Sequence, residues 1–423
     1  MIGKLIIVLT CLEEHDMKVN YYQAGKLFLL VLVMGFTYNI ILKSSDINRE
    51  FSHQIMDLSH NISNFERIIT EEEPLIREEN VKYIFYYTSI YGGSWELIFG
   101  YGRQPFAKCE YNNCFLTQDN SKPIPFHKYS ATLIHARDCC SSDIANSLRR
   151  SRREIKGPFI HYTMESANYD CRFDFRLYNE VFNWTMGYHP YADIPSMYGN
   201  TYSVKKKQPI PDLIKIMKIK HKLAFWIATH VGSAGKRDDY VRKLQKYMTV
   251  DKYGLSGPNF CPDSPNPMRI DCKKHHAPYY KFYFAFENSL CRDYVTEKFF
   301  HALRLPVVPV VYGKSNYTAV APPHSFIDVR DFKSPKAVAE YLMYLDKNDT
   351  AYLEYFKWKL EGRYKITSFD QEAQKTLCIL CDRLNNLQHK RAYTTSQMNE
   401  YWKGTKESPV CSSPEELIPG FNE

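Results

Sequence analysis

Short apolar runs recur along the first half of the chain, each with the length that a buried strand needs. They cover Tyr83–Tyr87, Ala131–Ala136 and Pro158–Met164, and Phe182–Gly187 resembles a further element. Runs of apolar and aromatic residues bounded by polar turns predict strands with both faces buried. This half of the chain is therefore predicted to contain a sheet.

The second half repeats the alternation after a basic, proline-containing segment at Thr201–Pro211, which we interpret as a linker. Leu223–Ala228 and Thr249–Tyr253 are predicted strands, and Arg237–Tyr247 between them has the apolar spacing of an amphipathic helix. Because strands alternate with helices, the pattern predicts two α/β lobes that face a cleft.

The most informative unit lies around residue 290. Phe282–Phe286 is an aromatic strand, Val295–Leu303 has helical spacing, and Leu305–Tyr312 is a second buried strand. Ligands of such units bind at the carboxyl ends of the strands. Glu297 and Lys298 begin the helix beside that crevice, where a helix N-terminus and a cation both favour phosphate.

Nearer the amino end, Leu27–Leu42 is a largely apolar run of sixteen residues between Lys26 and Lys43. It lies too deep in the chain for an ordinary cleavable signal, and it is short against the roughly 20 residues that span a typical bilayer. Thinner early secretory membranes accept shorter spans. We predict a signal anchor with the bulk of the chain in the lumen, although a buried core helix would give the same run.

The polar segment Ser44–Val81 follows the apolar run and becomes acidic toward its end. Its apolar residues recur at three- and four-residue intervals, which predicts a stem helix able to associate with a second copy. A solvated spacer without a partner fits the segment equally well. The apolar residues in question are Ile55, Leu58, Ile62, Phe65 and Ile69.

Composition and charge narrow the function only a little. The 423 residues are 44% hydrophobic and 15% aromatic, which is enough for two domains and a tail with buried cores. The formal net charge of +8 could serve nucleic acid, but no motif for it is present, and no Lys/Arg stripe interleaves with aromatics. A basic cleft for an anionic nucleotide substrate explains the charge equally well.

Twelve cysteines and four glycosylation sequons agree with a lumenal body. Cys11 precedes the apolar run, so eleven cysteines remain, and at least one is free or intermolecular if the others pair. Cys378 and Cys381 could hold zinc with Cys109 and Cys114, but a secretory lumen favours disulfides. We therefore hypothesise that Cys378 and Cys381 form disulfides with Cys109 and Cys114. The sequons are at Asn61, Asn183, Asn316 and Asn348.

The string FENS-x3-DYVTEKFF-x5-PVVP-x-VYG, from Phe286 to Gly313, resembles the donor-binding motif of the α1,3-fucosyltransferases, which use GDP-fucose. Phe225–Gly254 resembles the second donor motif of that family, in which an arginine opens the helix after the strand, and Arg237 matches it. The resemblance extends from about Tyr83 to Leu384. It implies two Rossmann-like lobes of the GT-B type, in a Golgi single-pass type II membrane protein with a lumenal catalytic domain.

That architecture divides the chain into seven parts and implies its partners. The partners are a glycoprotein N-glycan acceptor, the Golgi membrane and, through the stem, a second copy, with no nucleic acid. The parts are a cytoplasmic tail (1–26), a signal anchor (27–42), a stem (43–81), an acceptor-side lobe (82–204), a linker (205–214), a donor-binding lobe (215–365), and a C-terminal helix and tail that pack back on the first lobe (366–423).

The implied reaction sets the chemistry that the site needs. An α-linked product from a β-linked donor requires inversion in one displacement, so one carboxylate base suffices. The diphosphate leaving group needs positive charge, either from a metal or from Lys, Arg and helix dipoles. Because the body of the chain lacks a D-x-D pair, we expect Lys298 and Arg237 to supply this charge. No obligatory metal is expected, although a divalent cation could stimulate the reaction.

The resemblance also assigns the donor contacts. Thr229 and His230 stand where the family usually has Ser and Asn, and this departure concerns the loop that holds the nucleotide. Tyr253 either contacts the base or ribose or is a core tyrosine, and Glu297 is expected to bind sugar hydroxyls. The expected donor-binding residues are Thr229, His230, Arg237, Tyr253, Glu287, Asn288, Ser289, Asp293, Tyr294, Thr296, Glu297 and Lys298.

The base is expected on the first lobe. Glu165 follows the predicted strand Pro158–Met164, at a carboxyl end that faces the cleft. The family has Glu-Ser-Pro here, and this chain keeps the carboxylate but has Ala167 in place of the proline. Asn183–Met186 matches the acceptor-side element of the family. We predict Glu165 as the general base, with Asp193 as the alternative.

Three functions remain open on the sequence. The first is α1,3-fucosyl transfer to N-glycans, in which the C-terminal cysteine pair and the stretch Tyr240–Gly254 favour the core GlcNAc over antennal LacNAc or LacdiNAc. The second is a lumenal glycan-binding protein that kept the fold and lost turnover, which the departures at Thr229, His230 and Ala167 would explain. The third, nucleic-acid binding, would require Leu27–Leu42 to be a core helix.

Overall fold

The computed structural model describes residues 80–118, 124–169, 174–207, 212, 215, 217–254, 270–386 and 391–423. The predicted anchor Leu27–Leu42, residues 43–79 of the predicted stem with its apolar residues, and the sequon at Asn61 lie outside these residues. Within the described ranges, no helix combines the length and the apolar character needed to cross a bilayer. Arg77–Glu423 forms one compact unit.

The first lobe is built on six parallel strands, and its one α-helix in the described residues is α1 (Ser142–Ser151). The strands are β1 (Lys82–Tyr86), β2 (Cys114–Thr117), β3 (Tyr129–His135), β4 (Phe159–Thr163), β5 (Trp184–Gly187) and β6 (Ile194–Pro195). Their order in the sheet is β2-β1-β3-β4-β5-β6. The three strands predicted for this half coincide with β1, β3 and β4, and the further element at Phe182–Gly187 contains β5. These strands are largely apolar because both faces of a parallel sheet are covered.

The second lobe holds five parallel strands in the order β13-β12-β10-β8-β9. Its apolar clusters cover the two faces of the sheet, one around Phe284 and Leu342 and the other around Tyr283 and Phe299. The strands are β8 (Lys222–Ile227), β9 (Val250–Tyr253), β10 (Tyr280–Phe286), β12 (Val308–Tyr312) and β13 (Ile327–Asp328). The helices are α2 (Arg237–Leu244), α3 (Ile270–His276), α4 (Glu297–Arg304), α5 (Pro335–Lys347), α6 (Asp349–Glu354) and α7 (Lys357–Glu361).

Two antiparallel pairs connect distant parts of the chain. β7 (Thr201–Ser203) pairs with β14 (Tyr364–Ile366), and β11 (Leu290–Cys291) pairs with β15 (Cys411–Ser412). A disulfide between Cys291 and Cys411 reinforces the second pair. The short helix α10 (Pro414–Leu417) follows β15.

The C-terminal helices return to the first lobe. α8 (Phe369–Asn385) and α9 (Thr395–Lys403) contribute Leu380 and Trp402, among others, to the core around the first sheet. Disulfides Cys109–Cys378 and Cys114–Cys381 fasten α8 there, as the pairing hypothesis requires and the zinc alternative does not. Of the described cysteines, Cys139 is free and buried.

The three described sequons differ in accessibility. Asn316 is exposed. Asn348 caps α6 and accepts a hydrogen bond from the Ala351 N–H at 3.0 Å. Asn183 is buried, and its Oδ1 accepts from the Phe159 N–H at 3.0 Å. The fold therefore offers Asn316 as the most accessible acceptor of the three, whereas the Asn183 side chain is engaged inside the first lobe.

Candidate active site

A cavity of about 420 Å³ lies between the carboxyl ends of the two sheets. Loops that follow β1, β3 and β4 form one wall, and loops that follow β8 and β10 form much of the other, which is the usual place for a ligand of parallel α/β sheets. The first lobe contributes Tyr91, Arg137, Glu165, Tyr169 and Tyr198, and the second contributes Ile227, Ala228, Thr229, His230, Arg237, Lys273, Tyr283, Asn288, Tyr294, Glu297 and Lys298.

Arg237 is fixed in the wall by backbone carbonyls. Its Nη1 donates to the Phe286 carbonyl at 3.0 Å, and its Nη2 donates to the His230 carbonyl at 3.2 Å. The guanidinium lies 5.8 Å from the centroid of the buried Trp226 ring. Since Phe286 ends β10 and His230 follows β8, the charge is held at the carboxyl edge of the second sheet.

Lys298 carries a second fixed charge at the start of α4. Its Nζ lies 3.3 Å from Glu287 Oε2 and 3.4 Å from Glu297 Oε1, and it donates to Thr296 Oγ1 at 2.9 Å. Burial by itself would lower the pKa of this lysine, but the two carboxylates outweigh burial and raise its pKa. Lys298 therefore stays a cation at neutral pH.

Glu287 supports this arrangement from below the cavity wall. The side chain is fully buried and accepts hydrogen bonds from the Thr296 N–H at 2.8 Å and hydroxyl at 3.0 Å. Burial raises the pKa of Glu287, against the opposing effect of Lys298. Glu287 is absent from the cavity lining and positions Lys298 and the first turn of α4, and its contact with the donor stays a prediction.

Glu297 presents a carboxylate to the cavity. Burial favours its protonated form, but Lys298, Lys273 and His301 outweigh burial and lower its pKa to about 2. The ionised carboxylate can accept hydrogen bonds from the hydroxyl groups of a sugar.

Lys273, which no motif of the sequence marks, is a third cation in the wall. It extends from α3, is 2% exposed, and places its Nζ 3.4 Å from His301 Nδ1 and 6.0 Å from the Tyr283 ring centroid. Burial lowers its pKa to about 8. The run Lys273, Lys274, His275 resembles an ordinary solvated helix face, so only the tertiary structure identifies this lysine.

The first lobe brings Glu165 to the cavity. Its Oε2 accepts a hydrogen bond from the Tyr294 hydroxyl at 3.3 Å, which joins the two lobes. Asp193 does not line the cavity: it accepts from the Thr185 N–H at 2.8 Å and from the Tyr393 hydroxyl at 2.8 Å. Of the two base candidates, the structure therefore places only Glu165 beside the cations.

The remaining predicted donor residues divide into two groups. Thr229 and His230 line the cavity, with Thr229 Oγ1 3.2 Å from His230 Nδ1. The Asn288 side chain also lines it, and its buried Oδ1 has no hydrogen-bond partner within the described residues. This orphaned oxygen fits a hydroxyl or amino donor of a bound ligand. Tyr294, described above, completes this group.

The other group supports the site without lining it. Tyr253 is a core tyrosine, whose hydroxyl lies 2.8 Å from that of Tyr280. Ser289 accepts a hydrogen bond from Ser166 of the first lobe at 2.6 Å. Asp293 has a left-handed backbone (φ 62°), and its Oδ2 lies 3.6 Å from His189 Nδ1. Thr296 caps α4. In the structure these residues hold loops and lobes together, and their contacts with the donor stay predictions.

Among the described residues, the first-lobe wall of the cavity carries one carboxylate, Glu165, and one cation, Arg137, and it faces three cations on the second lobe. This arrangement defines a two-lobe α/β transferase suited to a phosphate-bearing donor. Residues 79–199 match the family model "Fucosyltransferase, N-terminal", and residues 217–401 match "Glycosyltransferase family 10 (fucosyltransferase) C-term". The chain belongs to glycosyltransferase family 10, the fucosyltransferases. Within the described residues, no cluster of three His, Cys, Asp or Glu side chains could hold a metal ion.

Named relatives agree with this family. The chain is 33% identical over 315 residues to glycoprotein 3-alpha-L-fucosyltransferase A of Drosophila melanogaster, covering 72% of this chain and 57% of that protein. It is 35% identical over 260 residues to the 4-galactosyl-N-acetylglucosaminide 3-alpha-L-fucosyltransferase of Pan troglodytes, covering 61% of this chain and 68% of that protein. A crystal structure of an α1,3-fucosyltransferase with GDP-fucose aligns with a TM-score of 0.46 at 17% identity, over 74% of this chain and 92% of that one.

Proposed function

We propose that the protein transfers L-fucose from GDP-fucose to a GlcNAc hydroxyl of glycoprotein N-glycans, in α1,3 linkage and with inversion. The observation that carries the proposal is the placement of Glu165 across the cavity from Arg237, Lys273 and Lys298. The donor is supported by the relatives, which are named fucosyltransferases and include a structure with GDP-fucose.

In this mechanism Glu165 removes the proton of the acceptor hydroxyl, while the oxygen of that hydroxyl forms a bond to C1 of fucose. The bond between C1 and the β-phosphate oxygen breaks, and GDP leaves with the additional negative charge. Arg237, Lys273 and Lys298 are held in place before the reaction and stabilise that charge, and such preorganised stabilisation is usually the largest single contribution to catalysis. Glu297 and the unpartnered Asn288 Oδ1 are suited to hold sugar or ribose hydroxyls. Because Glu165 and all three cations are present together, turnover is favoured over glycan binding alone.

We propose the core GlcNAc as the acceptor residue. The support is the C-terminal cysteine pair and the Tyr240–Gly254 stretch, together with the Drosophila relative, whose name specifies glycoprotein substrates. The chain spans little more than half of that relative, so the acceptor of this protein needs its own test.

The test incubates the purified full-length protein with GDP-fucose and two matched acceptors, an N-glycopeptide with an unmodified chitobiose core and a LacNAc-terminated oligosaccharide. We expect GDP release together with a fucose mass increment on the core GlcNAc, located by fragment mass spectrometry. Transfer to LacNAc alone would overturn the core assignment and leave the reaction standing. Absence of transfer to both acceptors would overturn the reaction.

We also propose that Leu27–Leu42 anchors the protein in the Golgi membrane as a single-pass type II protein. Disulfides such as Cys291–Cys411, which form in oxidising compartments, support a lumenal location for the two lobes. Protease treatment of sealed Golgi vesicles should leave the lobes intact until detergent is added. Digestion without detergent would contradict the orientation.

A further inference from the structure

Tyr91 is an exposed aromatic residue in the wall of the active-site cavity. The residue is 49% exposed, whereas Trp95 and Phe99, which follow it in the chain, are buried in the core. It belongs to the lobe that carries Glu165, opposite the three cations. The ring lies on the same wall as the base and across from the three second-lobe cations that suit a diphosphate, and Arg137 is the cation of its own wall. Tyr91 therefore faces the acceptor side of the cavity.

The backbone at Tyr91 is held in an uncommon conformation. Ile90 and Gly93 exchange two backbone hydrogen bonds at 3.1 and 2.9 Å, so Tyr91 and Gly92 are the central pair of a two-residue hairpin turn. Both have positive φ angles, +52° and +72°, as in a type I′ turn. Asn, Asp or Gly normally occupies the first central position, and a bulky residue there is an outlier.

A dedicated clamp keeps the turn in place. Asp138 Oδ2 accepts from the Tyr91 N–H at 2.6 Å, and Asp138 Oδ1 accepts from the Gly92 N–H at 2.9 Å. His135, the last residue of β3, places its Nδ1 2.5 Å from Asp138 Oδ2, so the clamp is tied to the central sheet. Arg137 lies 5.5 Å from the Tyr91 ring centroid. Strained backbone that is over-determined in this way is concentrated at functional sites.

The far end of the turn is equally well anchored. The Trp95 indole is buried, stacks on Tyr86 with ring centroids 4.4 Å apart, and donates its Nε1–H to the Thr88 carbonyl at 2.7 Å. Both ends of the turn are thus fixed to the first lobe, while the Tyr91 ring itself stays partly exposed. The ring is a rigid surface that loses little conformational freedom when a ligand covers it.

We propose that the Tyr91 ring is the platform on which a pyranose ring of the acceptor glycan stacks, next to the hydroxyl that Glu165 deprotonates. The inference rests on the proposed fucosyl transfer and names an acceptor contact for it. The C–H face of a pyranose is apolar and matches the face of an aromatic ring, while its hydroxyl groups stay available to Glu165 and other polar groups. Tyr91 thus positions the acceptor and takes no part in proton transfer.

The decisive variant is Tyr91→Gly, because it removes the ring and gives the turn the residue that its conformation prefers. We expect the KM for the core N-glycopeptide to rise about tenfold, the size of effect that one aromatic contact contributes, whereas the KM for GDP-fucose changes less than twofold. Tyr91→Phe should recover most of the acceptor affinity. Tyr344→Ala is the matched control, since Tyr344 is 52% exposed on α5 and lies outside the cavity.

The outcomes separate this inference from the proposed reaction. If Tyr91→Gly keeps the parental KM for the acceptor, the platform is overturned. Fucose transfer by the parent would then still support the proposed reaction. Equal losses for donor and acceptor, with a lower melting temperature, would also overturn the platform, because they would show a structural role. If the parent transfers no fucose, the proposed reaction fails, and calorimetric titration of the parent and Tyr91→Gly with the glycopeptide then decides the platform.

Discussion

Replacing Lys298 by Met should separate its contribution to stability from its contribution to ligand binding. The change removes the cation beside Glu287, which is fully buried, and leaves that carboxylate with its hydrogen bonds from Thr296. Adding Glu287→Gln removes the buried charge as well. We expect the single variant to lose stability and GDP binding, and the double variant to regain most of the stability only.

The magnitude follows from the isolated carboxylate. Removing one partner of a buried ion pair costs about 3–5 kcal/mol. Protonation of Glu287 sets an upper limit on this loss of stability. Keeping a glutamate with an ordinary pKa near 4.3 neutral at pH 7 costs about 4 kcal/mol. With both Thr296 hydrogen bonds retained, we expect a loss of about 3 kcal/mol at pH 7. A raised carboxyl pKa in the folded state favours folding at low pH, so the deficit of Lys298→Met should shrink as pH falls toward 5.

The assay is urea unfolding of the parent, Lys298→Met and the double variant at pH 7 and pH 5, with GDP titrated calorimetrically into each. Unchanged unfolding midpoint and slope in Lys298→Met would refute the buried-charge reasoning. Recovery of parental GDP affinity in the double variant would refute the contact between Lys298 and the diphosphate. A stability deficit that grows toward pH 5 would show that another group controls it.

Three further predictions concern the base, the third cation and the disulfides. Glu165→Gln should lower kcat at least about 10²-fold and leave the Kd for GDP near the parental value. Asp193→Asn, measured in parallel, should keep the parental kcat. A loss of kcat in Asp193→Asn but not in Glu165→Gln would make Asp193 the base. Because burial lowers the pKa of Lys273 to about 8, the affinity of the parent for GDP should fall above pH 8 as the lysine loses its proton. Lys273→Arg should abolish that decline. A parental Kd for GDP that does not change with pH would contradict this prediction. Replacing Cys114 and Cys381 by Ser should lower the free energy of unfolding in urea by about 3 kcal/mol, because the disulfide Cys109–Cys378 still closes the same long loop. Removing both disulfides should lower it by more than twice as much. Simple additivity of the two losses would contradict this shared-loop explanation.

The apolar pattern predicts the central strands well because their burial is a local property of the sequence. β4 and β10 are continuous apolar runs, and parallel strands covered on both faces require such runs. β6, with two residues, is too short to leave a pattern, and its place in the sheet depends on pairing with β5. The same limit applies to the cavity, whose walls join loops from distant parts of the chain.

Motif resemblance identifies the donor side without separating contact from support. Asn288 and Lys298 line the cavity, while Glu287 and Ser289 from the same string hold α4 and the opposite lobe. The two roles leave the same trace in a sequence because both fix a residue type at a position. Tyr91 leaves no trace at all, since its significance depends on a backbone angle and on its distance from Asp138.

The dependence of the first lobe on α8 and α9 has a consequence for biosynthesis. The core around the first sheet includes Leu380 and Trp402, so it stays incomplete until almost the whole polypeptide has left the ribosome. The second lobe has its strands between residues 222 and 328, but its core around Phe284 also includes Ile418 and Phe421 from the last residues of the chain. A stop codon shortly before residue 400 would therefore remove parts of both cores, including the core of the lobe that was synthesised first.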